Sequence, residues 1–230
     1  MKIFAAIFIA ALGLCALTLF LYGGSQAANL LQQSGPESLT RYEIDPSRSK
    51  FMVKASRGGL LWFKGHDHHL AVKDFGGRAE LILDALEPSS LEMTIRAASL
   101  EETSDVFTPQ QKAIINKELK EVVLEADKYP EIKFRSTSVS GSINNGRFEV
   151  IIGGDITLHG VTRHLNIPAM VTVEGDTLRA VGKFAIDRSD FNVKATSAFH
   201  GLVRVKNRLK FTFDIVAERA PGTSANNNES

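Results

Sequence analysis

The chain has 230 residues, with 27 Lys and Arg against 26 Asp and Glu, and a single cysteine. The balanced charge, with no basic block, argues against a nucleic-acid partner. Cys15 lies in the N-terminal apolar run, so the rest of the chain has neither a disulfide nor a thiol nucleophile or metal ligand. The long remainder must be held together by a hydrophobic core, and it is large enough to bury one.

The N terminus carries an uncharged apolar run over residues 3–22, followed by the small residues of Ser25-Gln26-Ala27. Small residues at these positions are typical of a signal-peptidase site, which predicts residues 1–27 as a signal peptide. A run of about 20 apolar residues also matches an N-terminal membrane anchor. Either alternative predicts a periplasmic or secreted protein. The anchor would add membrane contact, tethering the protein to the inner membrane through residues 3–22.

Residues 28–41 are predicted to be a polar linker, and from Tyr42 onward the dominant period is two. In residues 50–56 and 209–218, apolar side chains alternate with charged or polar ones. Such alternation is typical of half-buried antiparallel strands. Turn signals separate the runs, the clearest being the Asn-Gly pair at 145–146. Many strands at this spacing favour a barrel or a sandwich.

One segment, about residues 109–127, has apolar residues near the helical period of 3.6. Thr108 is its predicted N-cap with Pro109 at the first helical position, and Pro130 follows its end. One helix cannot cover the apolar face of many strands, whereas closure of the sheet on itself can. The prediction is therefore an all-β chain: an antiparallel β-barrel over residues 42–219, with this helix over one opening or seam, and a flexible tail at 220–230.

Three of the six histidines, His66, His68 and His69, stand together around Asp67. In an extended chain His66 and His68 share one face. Three roles stay open for this pair: polar residues at a barrel mouth, hydrogen-bond donors to the head group of a lipid, or metal ligands. A metal would need a third ligand from elsewhere, and the sequence offers Asp67 itself and three further histidines: His159, His164 and His200.

No catalytic constellation is recognisable. The serines lack a nucleophile-elbow glycine pattern, and Gly153-Gly154 reads as a strand bulge or bend rather than a phosphate loop. The prediction is a binding protein, not an enzyme, with no required cofactor. Large aromatic residues recur in the strands, and an apolar lining with few polar anchors is typical of a small-molecule site. The candidate ligand-binding residues are Trp62, Phe63, His66, His68, Phe75, Phe134, Phe148, Phe184 and Phe211.

Three stretches in this order, "EADKYPEIKFRSTSVSG", "GGDITLHGVTRHLNIPAMV" and "KFAIDRSDFNV", resemble the YceI-like family of exported bacterial lipocalin-like proteins. The resemblance spans roughly Tyr42 to Glu218. It implies an extended, lipocalin-like antiparallel barrel with an inserted helix that binds a polyisoprenoid-type lipid in its lumen. The expected function is thus an exported carrier of an amphiphilic isoprenoid lipid or quinone. The alternative is an envelope metal- or redox-linked protein that uses His66 and His68.

Overall fold

The structure is a computed structural model that describes residues 39–221 apart from 60–61, 84, 145, 195–196 and 199–202. The predicted leader, most of the linker and the end of the tail lie outside these residues. None of the helices in the described part of the chain has the length and apolar character needed to cross a membrane.

Within the described residues, twelve strands form one antiparallel sheet. Most of them lie in the segments where apolar and polar residues alternate, so each strand has one face for the interior and one for solvent. The strands are β1 Thr40–Ile44, β2 Lys50–Gly58, β3 His68–Val72, β4 Phe75–Ile82, β5 Ala85–Arg96, β6 Leu100–Glu102, β7 Glu131–Asn144, β8 Arg147–Leu158, β9 Val161–Glu174, β10 Thr177–Asp187, β11 Ser197–Ala198 and β12 Val203–Arg219.

The sheet closes into a barrel, as the sequence predicted. Eight strands follow one another in the order β1-β4-β5-β7-β8-β9-β10-β12, and the end of β12 pairs with β1, with Tyr42 opposite Arg219. At one end of the barrel, β2, β3 and β6 continue β1, β4 and β5. For example, β12 pairs with β1 through residues 217–219 and with β2 through residues 204–214. Closure leaves the eight strands of the ring without a free edge there.

The one α-helix among the described residues, α1 (Pro109–Glu118), begins with a capping box between Thr108 and Gln111, and Pro109 occupies its first turn. It continues as a π-helical turn over Leu119–Val123. The predicted end at about residue 127 is wrong: the chain leaves the helix four residues earlier, because Glu125 adopts a left-handed conformation with φ 44°. The apolar spacing runs on through Leu124 and Ala126, but both are buried outside the helix.

The helix lies beside β6. The side-chain oxygen of Asn116 accepts a hydrogen bond of 2.8 Å from the backbone N–H of Glu102 in β6. The helical segment also packs Leu119 and Val123 into the larger apolar cluster of the barrel. The predicted position of the helix, over an opening or seam, is therefore confirmed. We call the end of the barrel that carries α1 the helix end and the opposite one the far end.

The barrel is a compact unit with its own apolar core. The residues from Leu39 onward form a compact unit separate from Met1–Ser38. Two apolar clusters, both drawn from residues 42–217, occupy its interior. The inward residues that alternation predicts for β2, namely Phe51, Val53 and Ala55, are all buried. The described core and the closed sheet are thus built from residues 40–219.

Two glycine sites show how closely the strands approach. Gly153 and Gly154 in β8 lie opposite a β-bulge of β7, between Ser136 and Ser138, which confirms the predicted irregularity. In β10, a Cβ added at Gly182 would lie 2.5 Å from the carbonyl oxygen of Pro168 and 2.4 Å from the ring of Phe213. Only a residue without a side chain fits at Gly182 without a shift of the backbone.

Gly182→Ala should destabilise the barrel by about 1–3 kcal/mol, because the added methyl group meets backbone that cannot move away freely. The measurement is urea-induced unfolding followed by circular dichroism. Gly76→Ala is the matched control: a Cβ at this glycine of β4 has no neighbour within 4 Å, so the free energy of unfolding should stay unchanged or rise slightly. Equal stability of the two variants would contradict the packing at Gly182.

Candidate functional site

The interior of the barrel is not filled. A first cavity, the far cavity, lies toward the far end and has an empty volume of about 1260 Å³, open solvent at its mouth included. Side chains from β1, β4, β5, β7, β8, β9, β10 and β12 line it, and nearly all of them are apolar. Examples are Leu81, Phe148, Val150, Leu178 and Ile215.

A second cavity, the helix cavity, lies at the helix end and has an empty volume of about 1180 Å³ with its open mouth included. Strand residues such as Val53 and Leu70 form one side of it. Ile115, Leu119 and Val123 from the helical segment form another.

The two cavities meet in the middle of the barrel. The same residues contribute to the walls of both, and we call them the waist. Their apolar side chains make the junction as apolar as the cavities themselves. The waist consists of Phe51, Ile95, Ile132, Ile156 and Phe184. The two cavities therefore share part of their walls, and together they form the lumen of the barrel.

Aromatic rings hold the wall of the lumen near the waist. The rings of Phe184 and Phe211 are stacked with centroids 4.7 Å apart. Phe51 contacts Phe211 at 6.2 Å and Phe213 at 6.5 Å. These distances lie in the range in which aromatic pairs are favourable beyond simple burial. The rings thus support one another as well as lining the lumen.

The serine residues at the edge of the far cavity lie where β5 and β7 separate. Regular pairing of the two strands stops at Glu92 opposite Arg135. Beyond that, the N–H of Leu91 still donates to the Ser136 hydroxyl at 2.8 Å. Ser89 and Ser90 line the cavity at this parting. This side of the far cavity is therefore closed by side chains rather than by a continuous ladder of hydrogen bonds.

Charged groups line the helix cavity. Its wall includes His68, Glu118, Arg188 and Lys194 among apolar residues. The Arg188 guanidinium donates through Nη1 to the Val193 carbonyl oxygen at 2.9 Å. Its Nε is buried and has no hydrogen-bond partner among the described residues. A buried donor without a partner is costly, so an acceptor supplied by a ligand would be favourable here.

His68 is held by a buried carboxylate. Nδ1 of His68 lies 2.7 Å from Oε2 of Glu102, whose side chain is fully buried. Oε1 of Glu102 accepts the backbone N–H groups of His69 at 3.1 Å and Ser104 at 2.8 Å. With this carboxylate ionised, Nδ1 of His68 must be the donor. The imidazole is thereby oriented, and Nε2 remains for another partner.

Five of the nine predicted ligand-binding residues line the lumen. Three others, Phe63, His66 and Phe75, do not line it. Phe75 is buried in the core against Phe51, with centroids 6.2 Å apart, and His66 is exposed. Phe63 is 60% exposed, and the side chain of Trp62 lies outside the described residues. The five that line the lumen are His68, Phe134, Phe148, Phe184 and Phe211.

The sequence-based prediction missed the aliphatic waist residues and the cations of the helix cavity. Ile132 and Ile156 follow the strand period, so alternation places them inside. Nothing in that period distinguishes a residue that lines a cavity from one that packs in a solid core. Arg188 and Lys194 lie in and just after the 3-10 turn that follows β10, where no period applies.

The histidines do not converge on one point. The ring of Phe107 lies between His66 and His68, stacked on His68 at 5.2 Å and edge-on to His66 at 5.6 Å. Within the described residues, no group of three His, Cys, Asp or Glu side chains could hold a metal ion. Of the further histidines, His159 pairs with Glu125 at 2.7 Å and His164 with Asp155 at 3.0 Å. The remaining one, His200, lies outside the described residues.

Comparisons with known proteins identify the family of this chain. Residues 42–217 match the family model described as a YceI-like domain. The chain belongs to the YceI-like family. Its relatives include a protein of Pseudomonas fluorescens named UPF0312, 33% identical over 52% of this chain and 61% of the relative. They also include the YceI protein of Escherichia coli, 27% identical over 74% of this chain and 85% of the relative.

Solved structures share the fold. The crystal structure of BcnA from Burkholderia cenocepacia matches with a TM-score of 0.57 and 21% identity, over 75% of this chain and 98% of the other. A domain from Saccharophagus degradans, described as a polyisoprenoid binding domain implicated in plant cell wall breakdown, also matches with a TM-score of 0.57. The identity is 12%, over 78% of this chain and 98% of the other. At these identities the likeness establishes the architecture alone.

In the YceI-like barrel, an ion pair with Lys54 fixes Asp67, the residue before His68. Asp67 accepts from Nζ of Lys54 at 2.9 Å and from the backbone N–H of Arg57 at 3.0 Å. The hydrogen bond from Lys54, followed by that from Arg57, lowers the pKa of Asp67 below its usual value. A lowered pKa in the folded state stabilises the fold above the pKa of the unfolded chain, at about pH 4, and this stability is lost as the pH falls through the folded value.

Asp67→Asn should therefore lower the free energy of unfolding at pH 7 by about 0.5 kcal/mol, a small effect because the pair is partly exposed. It should also flatten the loss of stability below about pH 4. Urea unfolding between acid and neutral pH measures both. Asp127→Asn, at an exposed carboxylate without an ion pair in the described structure, is the control. An acid slope equal to that of the unmodified protein would contradict the role of Asp67.

Proposed function

We propose that this YceI-like protein is an exported binding protein for an amphiphilic isoprenoid-type lipid, whose chain lies in the lumen. The observation that carries the proposal is the waist, whose apolar side chains line both cavities. We propose that the lipid chain passes from one cavity to the other there. A long hydrocarbon chain fills such a passage, and each methylene moved from water into it contributes about 0.8 kcal/mol. A compact ligand would fill only one cavity.

The head group is placed by this proposal at the helix end. Arg188 and Lys194 supply cationic donors to the wall there, and Glu102 orients the imidazole of His68. The carbonyl of a quinone, a hydroxyl group or a phosphate can each accept from these donors. A polar head anchored at one end, with an apolar chain behind it, is the usual arrangement of such a site.

Support also comes from the Saccharophagus degradans domain, which is described as polyisoprenoid binding and has the same fold. Binding by burial needs no reaction, so we propose neither catalytic residues nor a resident cofactor for this chain. The proposed location of the protein is the periplasm or the outside of the cell. The apolar run at 3–22 and the small residues at 25–27 support this as features of an export signal or an anchor.

The direct test is native mass spectrometry of residues 28–230, purified without detergent. The expected result is an additional mass of one lipid, removed by extraction into organic solvent. Binding of added isoprenols to the extracted protein then gives affinities. A protein that takes up neither farnesol, a short isoprenol, nor solanesol, a long one, would refute the proposal.

A change at the waist should separate long from short chains. Ile132→Trp adds bulk where the two cavities meet, so a long chain can no longer pass from one to the other. We expect the affinity for solanesol to fall by at least about tenfold, which corresponds to about 1.4 kcal/mol. The affinity for farnesol should change little, because each cavity remains. Competition with a fluorescent isoprenoid measures both affinities.

The matched control is Met170→Trp, which adds the same ring to an exposed position of β9. Its affinities should equal those of the unmodified protein, and thermal unfolding of both variants checks that they fold. If Ile132→Trp binds solanesol as tightly as the unmodified protein does, the chain does not pass the waist.

A further inference from the structure

Large apolar side chains are unusually exposed at the helix end. Among the described residues, eight large hydrophobic side chains are exposed. The four most exposed of them, which we call the rim, lie between 54% and 62%, whereas the other four, elsewhere on the barrel, lie between 37% and 48%. The rim consists of Phe63, Val106, Ile114 and Val122.

Three of the rim residues lie close to residues that line the helix cavity. Ile114 and Val122 lie about one helical turn on either side of Glu118, which lines this cavity. Val106 precedes Phe107, whose ring is stacked on the lining residue His68. The opening of the lumen at this end is therefore bordered by exposed apolar groups on the helical segment and on the chain that leads into it.

Phe63 extends the border on the side of β2. It lies in the 3-10 turn Trp62–Lys64, which follows β2 and contacts β12. In the register of these two strands, Gly58 at the end of β2 lies opposite Arg204 near the start of β12. The turn with Phe63 is thus next to the first residues of β12.

Positive charge begins at the same place. Four exposed residues with cationic side chains follow one another on β12, and we call them the stripe: Arg204, Lys206, Arg208 and Lys210. On the neighbouring strands, Lys54 lies opposite Lys210, and Lys183 lies opposite Thr212, the next outward residue of β12.

Acidic groups pair with some of the cations on this face. Asp187 lies 3.6 Å from Arg208, and Asp67 pairs with Lys54. The chain as a whole has a net charge of only +1, so the stripe is a local concentration of positive charge rather than part of a basic protein. Such a concentration attracts an anionic surface over about a Debye length.

We infer that the rim and the stripe together form a docking surface for an anionic lipid bilayer. Apolar side chains of the rim would enter the boundary between head groups and acyl chains, and the stripe would pair with anionic head groups. The mouth of the helix cavity then faces the bilayer, so that a lipid chain can enter the lumen without crossing water. An acidic protein could occupy the stripe, but the ring of apolar groups at the mouth favours a membrane.

The test uses residues 28–230, because the barrel has its own core and the apolar run at 3–22 would bind membranes by itself. Co-sedimentation with vesicles of phosphatidylcholine, with and without phosphatidylglycerol, measures binding at physiological salt. We expect binding to the anionic vesicles and at most weak binding to the neutral ones. No binding to either kind of vesicle would overturn the inference and favour a protein partner for the stripe.

Charges introduced into the rim should abolish binding. The double variant Phe63→Glu and Ile114→Glu should bind anionic vesicles at least about tenfold more weakly, since neither side chain can enter the apolar boundary. The matched control is Ile151→Glu with Met170→Glu, which adds the same two charges at exposed apolar positions of β8 and β9. Equal losses in the two double variants would show a general effect of charge and overturn the role of the rim.

Removing charge from the stripe should act on the anionic vesicles alone. Lys206→Gln with Lys210→Gln should weaken binding to them by about 30-fold, given the contribution of each cation near a charged membrane. The control, Arg147→Gln with Arg163→Gln, removes two exposed cations from β8 and β9 and should leave binding unchanged. A stripe variant that binds as tightly as this control would overturn the role of the stripe. Because no isoprenoid is added, the outcome does not depend on whether the proposed ligand is correct.

Discussion

Pairing of the last strand with the first is the constraint on which the rest of this structure depends. Tyr42 to Ile44 of β1 lie opposite Arg219 to Ala217 of β12, and this short contact turns an open sheet into a barrel. Tyr42 and Ala217 are almost completely buried at the closure. With the ring closed, the apolar faces of the strands can only cover one another. The strand faces do not fill the space between them, and the lumen is what remains.

The period of the sequence was sufficient to predict this architecture. Alternation in residues 50–56 and 209–218 separates inward residues such as Phe51 and Phe213 from outward ones, but it wrongly places Val216 outside. Val216 is buried at the point where Asp45 and Ser49 hydrogen-bond to its backbone. The start of the helix was predictable as well, because Thr108 and Pro109 are residue types that favour the N-cap and the first turn of a helix. Its end was not, since Leu124 and Ala126 continue the apolar pattern after the chain has left the helix. Burial alone does not tell a helix from the irregular segment that follows it.

The site was predictable to the extent that it lies in strands. Phe134, Phe148, Phe184 and Phe211 line the lumen because their strand period points them inward. Phe63 and His66 lie in the connection between β2 and β3, where that period stops, and both are exposed. The cations of the helix cavity were missed for a related reason. Their position depends on how the turn after β10 folds back against the barrel, which is a long-range contact that local patterns do not contain.

The two ends of the lumen differ in chemistry. At the helix end, charged side chains and an oriented imidazole face the cavity, and exposed apolar groups surround the mouth. The far cavity is lined almost entirely by apolar groups, and the polar residues in its lining are Glu80, Ser89, Ser90 and Lys133. A molecule with one polar terminus therefore has a preferred direction in the barrel. In the reverse direction its polar terminus would lie in the far cavity with few hydrogen-bond partners.

The parting of β5 and β7 beside the far cavity bears on which chain lengths the proposed site would accept. Beyond Glu92 and Arg135 the wall depends on side chains, which can move aside at less cost than a hydrogen-bonded ladder can be opened. A closed bottom would act as a ruler that rejects any chain longer than the lumen. A wall with a seam sets no such upper limit, so selection by length would act on chains too short to reach past the waist rather than on those that are too long.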